Sequence, residues 1–342
     1  MNINEFKTTI NLPNAPTGDE LNNLPPYCEI KAYDVDEYEC PKNWMNGSYN
    51  SKSYFIELKE NKHLWIDLND NLSNTHDIAV VLSVQGINPI TGEKTTNLKL
   101  EKYDKCPKHD INFQGSDRYC TECEYNWPAQ NYMSTTCYPY GQFWVDGWRN
   151  GKDEIRGFLI TSDVMKGIAS QLIGDDRVYA IGLAFYKSKI AKPIQTKQND
   201  MQNDIGWSKK FHKLIPKYGQ YGQSISSWSS ISTSSGTTSS GTTSSSTTSS
   251  SSILRGRNII STSNLSLNSE TCDNAITKTF EIAAGARIKQ NLSYADKLPL
   301  SYYNDEPDGF IYINYCDSTV FNNILSKKKQ TKTFLSHLKV GN

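Results

Sequence analysis

The sequence has no surplus of either charge: 36 lysines and arginines balance 36 aspartates and glutamates over 342 residues. A nucleic-acid binder normally carries a basic excess, so no nucleic-acid partner is expected. No apolar run reaches about eighteen residues, so no helix is expected to span a membrane. The opening, Met1 to Lys7, lacks a basic region followed by an apolar stretch, and no secretory leader is expected. The Asn-x-Ser sequons at Asn46, Asn71, Asn264 and Asn291 then read as chance matches in an Asn- and Ser-rich chain. A cytoplasmic, reducing setting is the default, and the eight cysteines read as thiols or metal ligands rather than disulfides. A Gly-x-Ser-x-Gly elbow, a Walker loop, a dinucleotide fingerprint and a His-Glu-x-x-His motif are all missing.

What is present is aromatic and strand-like: 20 tyrosines, 7 tryptophans and many short apolar runs. Strands are expected at 54–58, 63–68, 97–103, 143–145, 155–161 and 178–186. The run 78–84 is almost wholly apolar, as a strand buried on both faces would be. A helix capped by Ser162 is expected, with Val164, Ile168 and Leu172 on one face and Gly174 at its end. Further strands are expected at 276–283, 287–294 and 310–315. A terminal helix should start near Asp317 or Ser318, with Val320, Phe321, Ile324 and Leu325 inward and Lys327, Lys328 and Lys329 at its end. The expected fold is mainly β with few helices, β-sandwich-like or α+β, with a small zinc-knuckle insertion.

Five sections follow from this pattern. Residues 1–26 are loop-like, and 27–195 form a β-rich core with the knuckle at 104–128. Residues 196–223 are a basic connecting segment. Residues 224–252 are a Ser/Thr/Gly low-complexity linker, which has too little apolar surface to offset the entropy of ordering. Residues 253–342 form a β-rich C-terminal section that is either packed on the first core or a separate domain.

The most specific chemical signal is Cys106-Pro107-Lys108-His109, ten residues, then Cys120-Thr121-Glu122-Cys123. Two ligand pairs, each two residues apart and joined by a short spacer, match a tetrahedral structural zinc site. Cys137 is an alternative to His109 as fourth ligand. Pro107, Tyr119, Tyr125 and Trp127 are expected to cover the site. A second candidate, the loop from Asp67 to Ile78, spaces its oxygens somewhat like a calcium loop. It has Leu72 where a glycine is needed and Ile78 where a glutamate is needed, so it reads as a polar turn. The third is an acid–base set drawn from His63, His76, Asp67, Asp77 and Asp146, which would have to converge in one pocket. The fourth is a basic, amphipathic stretch from Trp207 to Ile215, which with Lys327, Lys328, Lys329 and Lys332 could lie on an anionic membrane surface or dock on the sheet.

Three stretches carry a resemblance. Trp65-Ile66-Asp67 leads into the run from Asp77-Ile78-Ala79-Val80 to Ile90-Thr91-Gly92. Trp144-Val145-Asp146-Gly147 leads into Arg156-Gly157-Phe158-Leu159-Ile160-Thr161. The third is Ala284-Gly285-Ala286-Arg287-Ile288-Lys289-Gln290. Together they resemble a largely uncharacterised family of bacterial and amoebal proteins, which transfers no catalytic residues. The Ser/Thr tract and Asn-rich loops look like those of social-amoeba proteins, and in that setting the chain is similar to the calcium-upregulated Cup family. That resemblance implies association with membranes and their stabilisation under calcium stress. The expected function is therefore a non-enzymatic, zinc-stabilised binding or structural protein of the cytoplasm or of the cytoplasmic face of a membrane. Its partner would be a protein or an anionic membrane surface. The alternatives are a hydrolase of unfamiliar type and a self-assembling subunit that forms homo-oligomers.

Overall fold

Strand His76–Val84 shows how the sequence builds the protein. Its even-numbered side chains, Ile78, Val80, Leu82 and Val84, enter one apolar core, and Ala79 and Val81 enter another on the opposite face. A strand alternates its side chains between two faces, so a nearly continuous apolar run is stable only when both faces are covered. Ala180–Ala191 repeats the pattern: Ile181, Leu183 and Phe185 join the first core, and Ala184 and Tyr186 the second. The two strands pair antiparallel, with Leu183 opposite Leu82 and Phe185 opposite Val80.

The computed structural model describes residues 1–192 and 280–329, apart from 19, 24–25, 45–48, 96, 115–117, 139, 151–153, 169–179 and 293. All of these belong to the compact unit formed by Met1–Ile215 and Ile276–Asn342. The 196–223 and 224–252 segments, Trp207 to Ile215 and Lys332 lie outside the described residues.

The architecture is mainly β. The larger sheet has the order Tyr33–Asp34, Ser51–Glu57, Gly309–Cys316, Ala180–Ala191, His76–Val84, Ile87–Asn88, Glu93–Lys94, with Tyr132–Ser134 also pairing on His76–Val84. Gly309–Cys316 runs parallel to Ser51–Glu57, and the sheet's other pairs are antiparallel. The smaller sheet has the order Trp144–Val145, His63–Asp67, Glu154–Thr161, Gly147–Asn150, with Thr9–Asn11 and Glu281–Arg287 as further partners. The inward side chains of both sheets form one core. Ile56, Leu82, Phe185 and Ile313 come from the larger sheet, and Leu64, Ile66, Phe158 and Ile282 from the smaller. Each such fully buried side chain contributes roughly 1.5–3 kcal/mol. The chain after residue 280 supplies a strand to each sheet.

Three local expectations need correction. Residues 97–103 alternate as a strand would but form none. They cross the outer face of the larger sheet, where Leu98 and Leu100 cover Tyr132 and Tyr186. Their partners are residues 129–131: the Asn131 side-chain amide donates to the Lys99 carbonyl (2.9 Å) and accepts from the Glu101 N–H (2.9 Å), the Asn131 N–H donates to the Glu101 carbonyl (3.2 Å), and Lys102 bridges Gln130. The two strands expected around Gly285 are one strand, Glu281–Arg287, running through it. A Cβ there would sit 3.0 Å from the Gly157 carbonyl oxygen, so the glycine lets two strands approach. The helix expected from Ser162 begins instead with the 3-10 turn Val164–Lys166, capped by Asp163, whose carboxylate accepts from the Met165 N–H. Leu172 and Gly174 lie outside the described residues.

The terminal helix, Ser318–Leu325, is capped by Asp317, whose Oδ1 accepts from the Thr319 and Val320 N–H groups. It buries Phe321 and Ile324 against Val35, Tyr38 and Phe55. Among the described residues, no helix is long and apolar enough to cross a membrane.

Candidate metal centre

The insertion at 104–128 leaves the body where Tyr103 N–H donates to the Ala129 carbonyl (2.9 Å), so its two ends are tied together. Within it, Tyr119–Cys120 and Tyr125–Asn126 pair as a short ribbon. A backbone bond from Asp110 N–H to the Cys106 carbonyl (2.8 Å) closes the first turn. These two turns bring Cys106, His109, Cys120 and Cys123 together, with one ligand atom of each lying within 4.8 Å of the others. His109 presents Nδ1, which is 3.6 Å from Cys106 Sγ and 3.4 Å from Cys120 Sγ. Cys106 and Cys123 sulfurs are 3.8 Å apart. The group could hold a metal ion.

The surroundings act on the thiols in opposite directions. Trp127 Nε1–H donates to Cys123 Sγ (3.5 Å). Burial works against ionisation of Cys120, but the Cys123 backbone N–H, His109 and the neighbouring sulfurs outweigh it and bring that thiol down to about 6. At Cys123 burial dominates and pushes the thiol up to about 11. Trp127, Tyr103, Tyr125, Ile111 and Phe113 pack around the cysteines as a small separate core. Tyr119, expected to cover the site, is exposed. The cover also anchors the insertion. Tyr125 OH donates to the Thr91 carbonyl (2.5 Å), and Lys108 pairs with Glu93 (2.7 Å).

Cys137, the alternative ligand, is not in the group. It is buried in the turn Thr135–Cys137 with its thiol toward the Tyr294 carbonyl (3.9 Å), and burial pushes it up to about 11.

The acid–base candidates do not assemble into one site, and no two of Asp67, Asp77, Asp146 and His76 share a partner for their side chains. Asp77, on the larger sheet, accepts from Thr135 Oγ1 (3.1 Å) and Tyr302 OH (2.9 Å) and pairs with Lys192 (3.4 Å). His76 Nδ1 bonds the Ser188 carbonyl (2.8 Å). Asp67, on the smaller sheet, accepts from the Asn69 N–H (2.9 Å) and Nδ2 (2.7 Å). The polar turn that follows, Asn69–Ser73, uses the buried Asn71 amide to hold the N-terminal ribbon through Lys7. Asp146 is fully buried with its Oδ1 unpartnered, and burial pushes its carboxyl up to about 8. The nearby His63 ring lies against Gly157, where a Cβ would come within 2.4 Å of its Cε1. Burial lowers this histidine to about 4.

Sequence reasoning missed two features of the insertion. The Trp127 bond to sulfur had a signal, a tryptophan four residues after Cys123. The left-handed backbone directly after each ligand pair had a weak signal at Asp110, a residue type enriched there, and none at Glu124. Comparison of the chain with protein-family models, curated proteins and solved structures found no match.

Proposed function

We propose that the protein is a non-enzymatic binding or structural protein whose 104–128 insertion is locked by one structural zinc ion. The donor separations carry the reading. A tetrahedral zinc, with sulfur at about 2.3 Å and nitrogen at about 2.0–2.1 Å, sets sulfurs about 3.8 Å apart and sulfur about 3.5 Å from nitrogen. The separations of 3.8, 3.6 and 3.4 Å fit those edges. Three thiolates and an imidazole favour zinc over the oxygen-seeking magnesium or calcium. Four protein donors fill a tetrahedron and leave no position for water or substrate, so the ion would act as a staple. The carboxylates of Asp67 and Asp77 are engaged in holding neighbouring segments, which supports a chain that holds a partner, a protein or an anionic membrane surface, rather than one that turns over a substrate.

Metal analysis of the full chain by mass spectrometry tests the site. One zinc per chain is expected, with loss in Cys120→Ser and in Cys106→Ser, and cobalt substitution should give the absorption bands of a tetrahedral thiolate centre. A metal-free wild type, or zinc retained in both variants, refutes it.

A further inference from the structure

A cleft of about 370 Å³ has none of the metal-ligand or acid–base candidates in its lining. Its floor is apolar. Leu12 belongs to the core between the sheets, with Ile30 packed against that core, while Phe321 belongs to the separate cluster under the terminal helix, with Tyr33 at its margin. The cleft is the gap these two apolar clusters leave between them, and its size falls within the roughly 300–1,000 Å³ of small-molecule sites.

Its rim is cationic. Three lysines, Lys31, Lys59 and Lys62, face a single carboxylate, Glu57. That carboxylate is spoken for: it lies 3.5 Å from Lys59 Nζ and accepts from Ser318 Oγ (2.5 Å). Lys62 Nζ donates to the neutral Asn14 Oδ1 (2.6 Å), and Lys31 Nζ stands over the Tyr33 ring, 4.6 Å from its centroid. Among the described residues, neither has a carboxylate partner.

We infer that this cleft binds a small amphiphilic anion, an alkyl or aryl carboxylate or sulfonate, with its apolar body on Leu12, Ile30, Tyr33 and Phe321 and its head between Lys31 and Lys62. Each half of the lining excludes the simpler ligands. A compact polyanion such as inorganic phosphate would lose water against the apolar floor without gaining hydrogen bonds there. An uncharged hydrocarbon would leave the two ammonium groups unused. The head of a bilayer lipid carries the same anionic chemistry, but in a membrane its chains point away from the protein, whereas here the apolar part must enter first.

Cys28, exposed on the rim, supplies the reporter. The full chain is titrated calorimetrically with decanoate below its micellar concentration, and alkylation of Cys28 by iodoacetamide is followed by peptide mass mapping. One decanoate per chain is expected, with Cys28 protected, decanol binding about tenfold more weakly, and Lys31→Glu weakening decanoate by about tenfold or more. Lys31 Nζ stands over the Tyr33 ring, and an unchanged thermal midpoint will show that the variant folds. Lack of protection, equal affinity for decanol, or unweakened binding in a folded Lys31→Glu overturns the inference. So does binding to phosphatidylserine vesicles without binding to the monomer, which would point to a lipid headgroup instead.

Discussion

The sandwich body and the 104–128 insertion are held by different physics. In the body, His76–Val84 and Ala180–Ala191 are buried on both faces, and side chains from two sheets share one core. Among its described residues the insertion buries only Cys106, Cys120, Trp127 and Pro128, and two of those four are metal-ligand candidates. Segments this short rarely bury enough apolar surface to fold alone. The body's core is therefore expected to hold when metal is removed, whereas the insertion should depend on it.

Metal removal is the largest way to break that comparison. Structural zinc in small knuckles carries about 10–16 kcal/mol of local folding free energy. A strong chelator should abolish amide-exchange protection across 104–128 while leaving strands His76–Val84 and Ala180–Ala191 protected. Equal loss in both regions would show that the insertion supports the body. The reverse experiment targets the body. Phe185 is fully buried and stacks on Phe6, with ring centroids 4.9 Å apart. Phe185→Ala should cost about 3–5 kcal/mol in denaturant unfolding while zinc content stays unchanged.

The two regions also differed in how much their sequence revealed. The insertion's Cys/His cluster was legible because metal coordination demands particular residue types at fixed spacing, and Cys106, His109, Cys120 and Cys123, which the fold brings together, supply both. In the body, strands such as 63–67, 154–161 and 309–316 were legible from apolar runs, and the Asp317 cap from residue type. What was not legible depends on distant partners. Residues 97–103 have a strand's alternation, yet their backbone is matched only in part by the 129–131 backbone and in part by the Asn131 side chain, about thirty positions on. The cleft beside Lys31 arises where two apolar clusters meet, and no local pattern encodes such a gap. The acid–base set of His63, His76, Asp67, Asp77 and Asp146 was readable as residue types only, and its convergence depends on packing, which puts His63 near Asp146 but Asp77 and Asp67 on different sheets.

Asp146 sharpens the comparison from the body's side, since it is a cost the core sustains. Burial raises its carboxyl from 3.8 to about 8, so between those values the folded state holds a proton that the unfolded state releases. Its contribution to stability is therefore greatest at low pH and falls as pH rises through that window. Burial of His63 has the opposite sign. Its imidazole falls from 6.5 to about 4, so stability from this group is lost as pH drops through that range. The two slopes oppose each other from about pH 4 to 6.5, and the decline due to Asp146 stands alone from about 6.5 to 8. Asp146→Asn should remove that decline and stabilise the protein at pH 8 by a few kcal/mol, on the order expected from the shift. Urea midpoints at pH 6, 7 and 8 for both forms give the answer, and parallel curves would show that Asp146 is not the titrating group.

The smallest effect lies in the insertion. Asp110 and Glu124 follow the two ligand pairs directly, and both hold left-handed backbone, with φ of 57° and 50°. That conformation costs an ordinary residue roughly 1–2 kcal/mol, a strain that the four converging ligands would hold in place. Glycine removes the strain but adds about 0.5–1 kcal/mol of chain entropy to the unfolded state. Glu124→Gly should therefore gain about 0.5–1 kcal/mol, read as zinc held about 2–5-fold more tightly against a competing chelator. Glu122 lies in the same turn without a positive φ, and there the entropy cost is not offset, so Glu122→Gly should weaken zinc. Opposite signs at two glutamates separated by one residue would isolate backbone conformation from charge. A matching change at both would assign the effect to the lost carboxylate near the metal and remove backbone strain from the account of how the insertion is held.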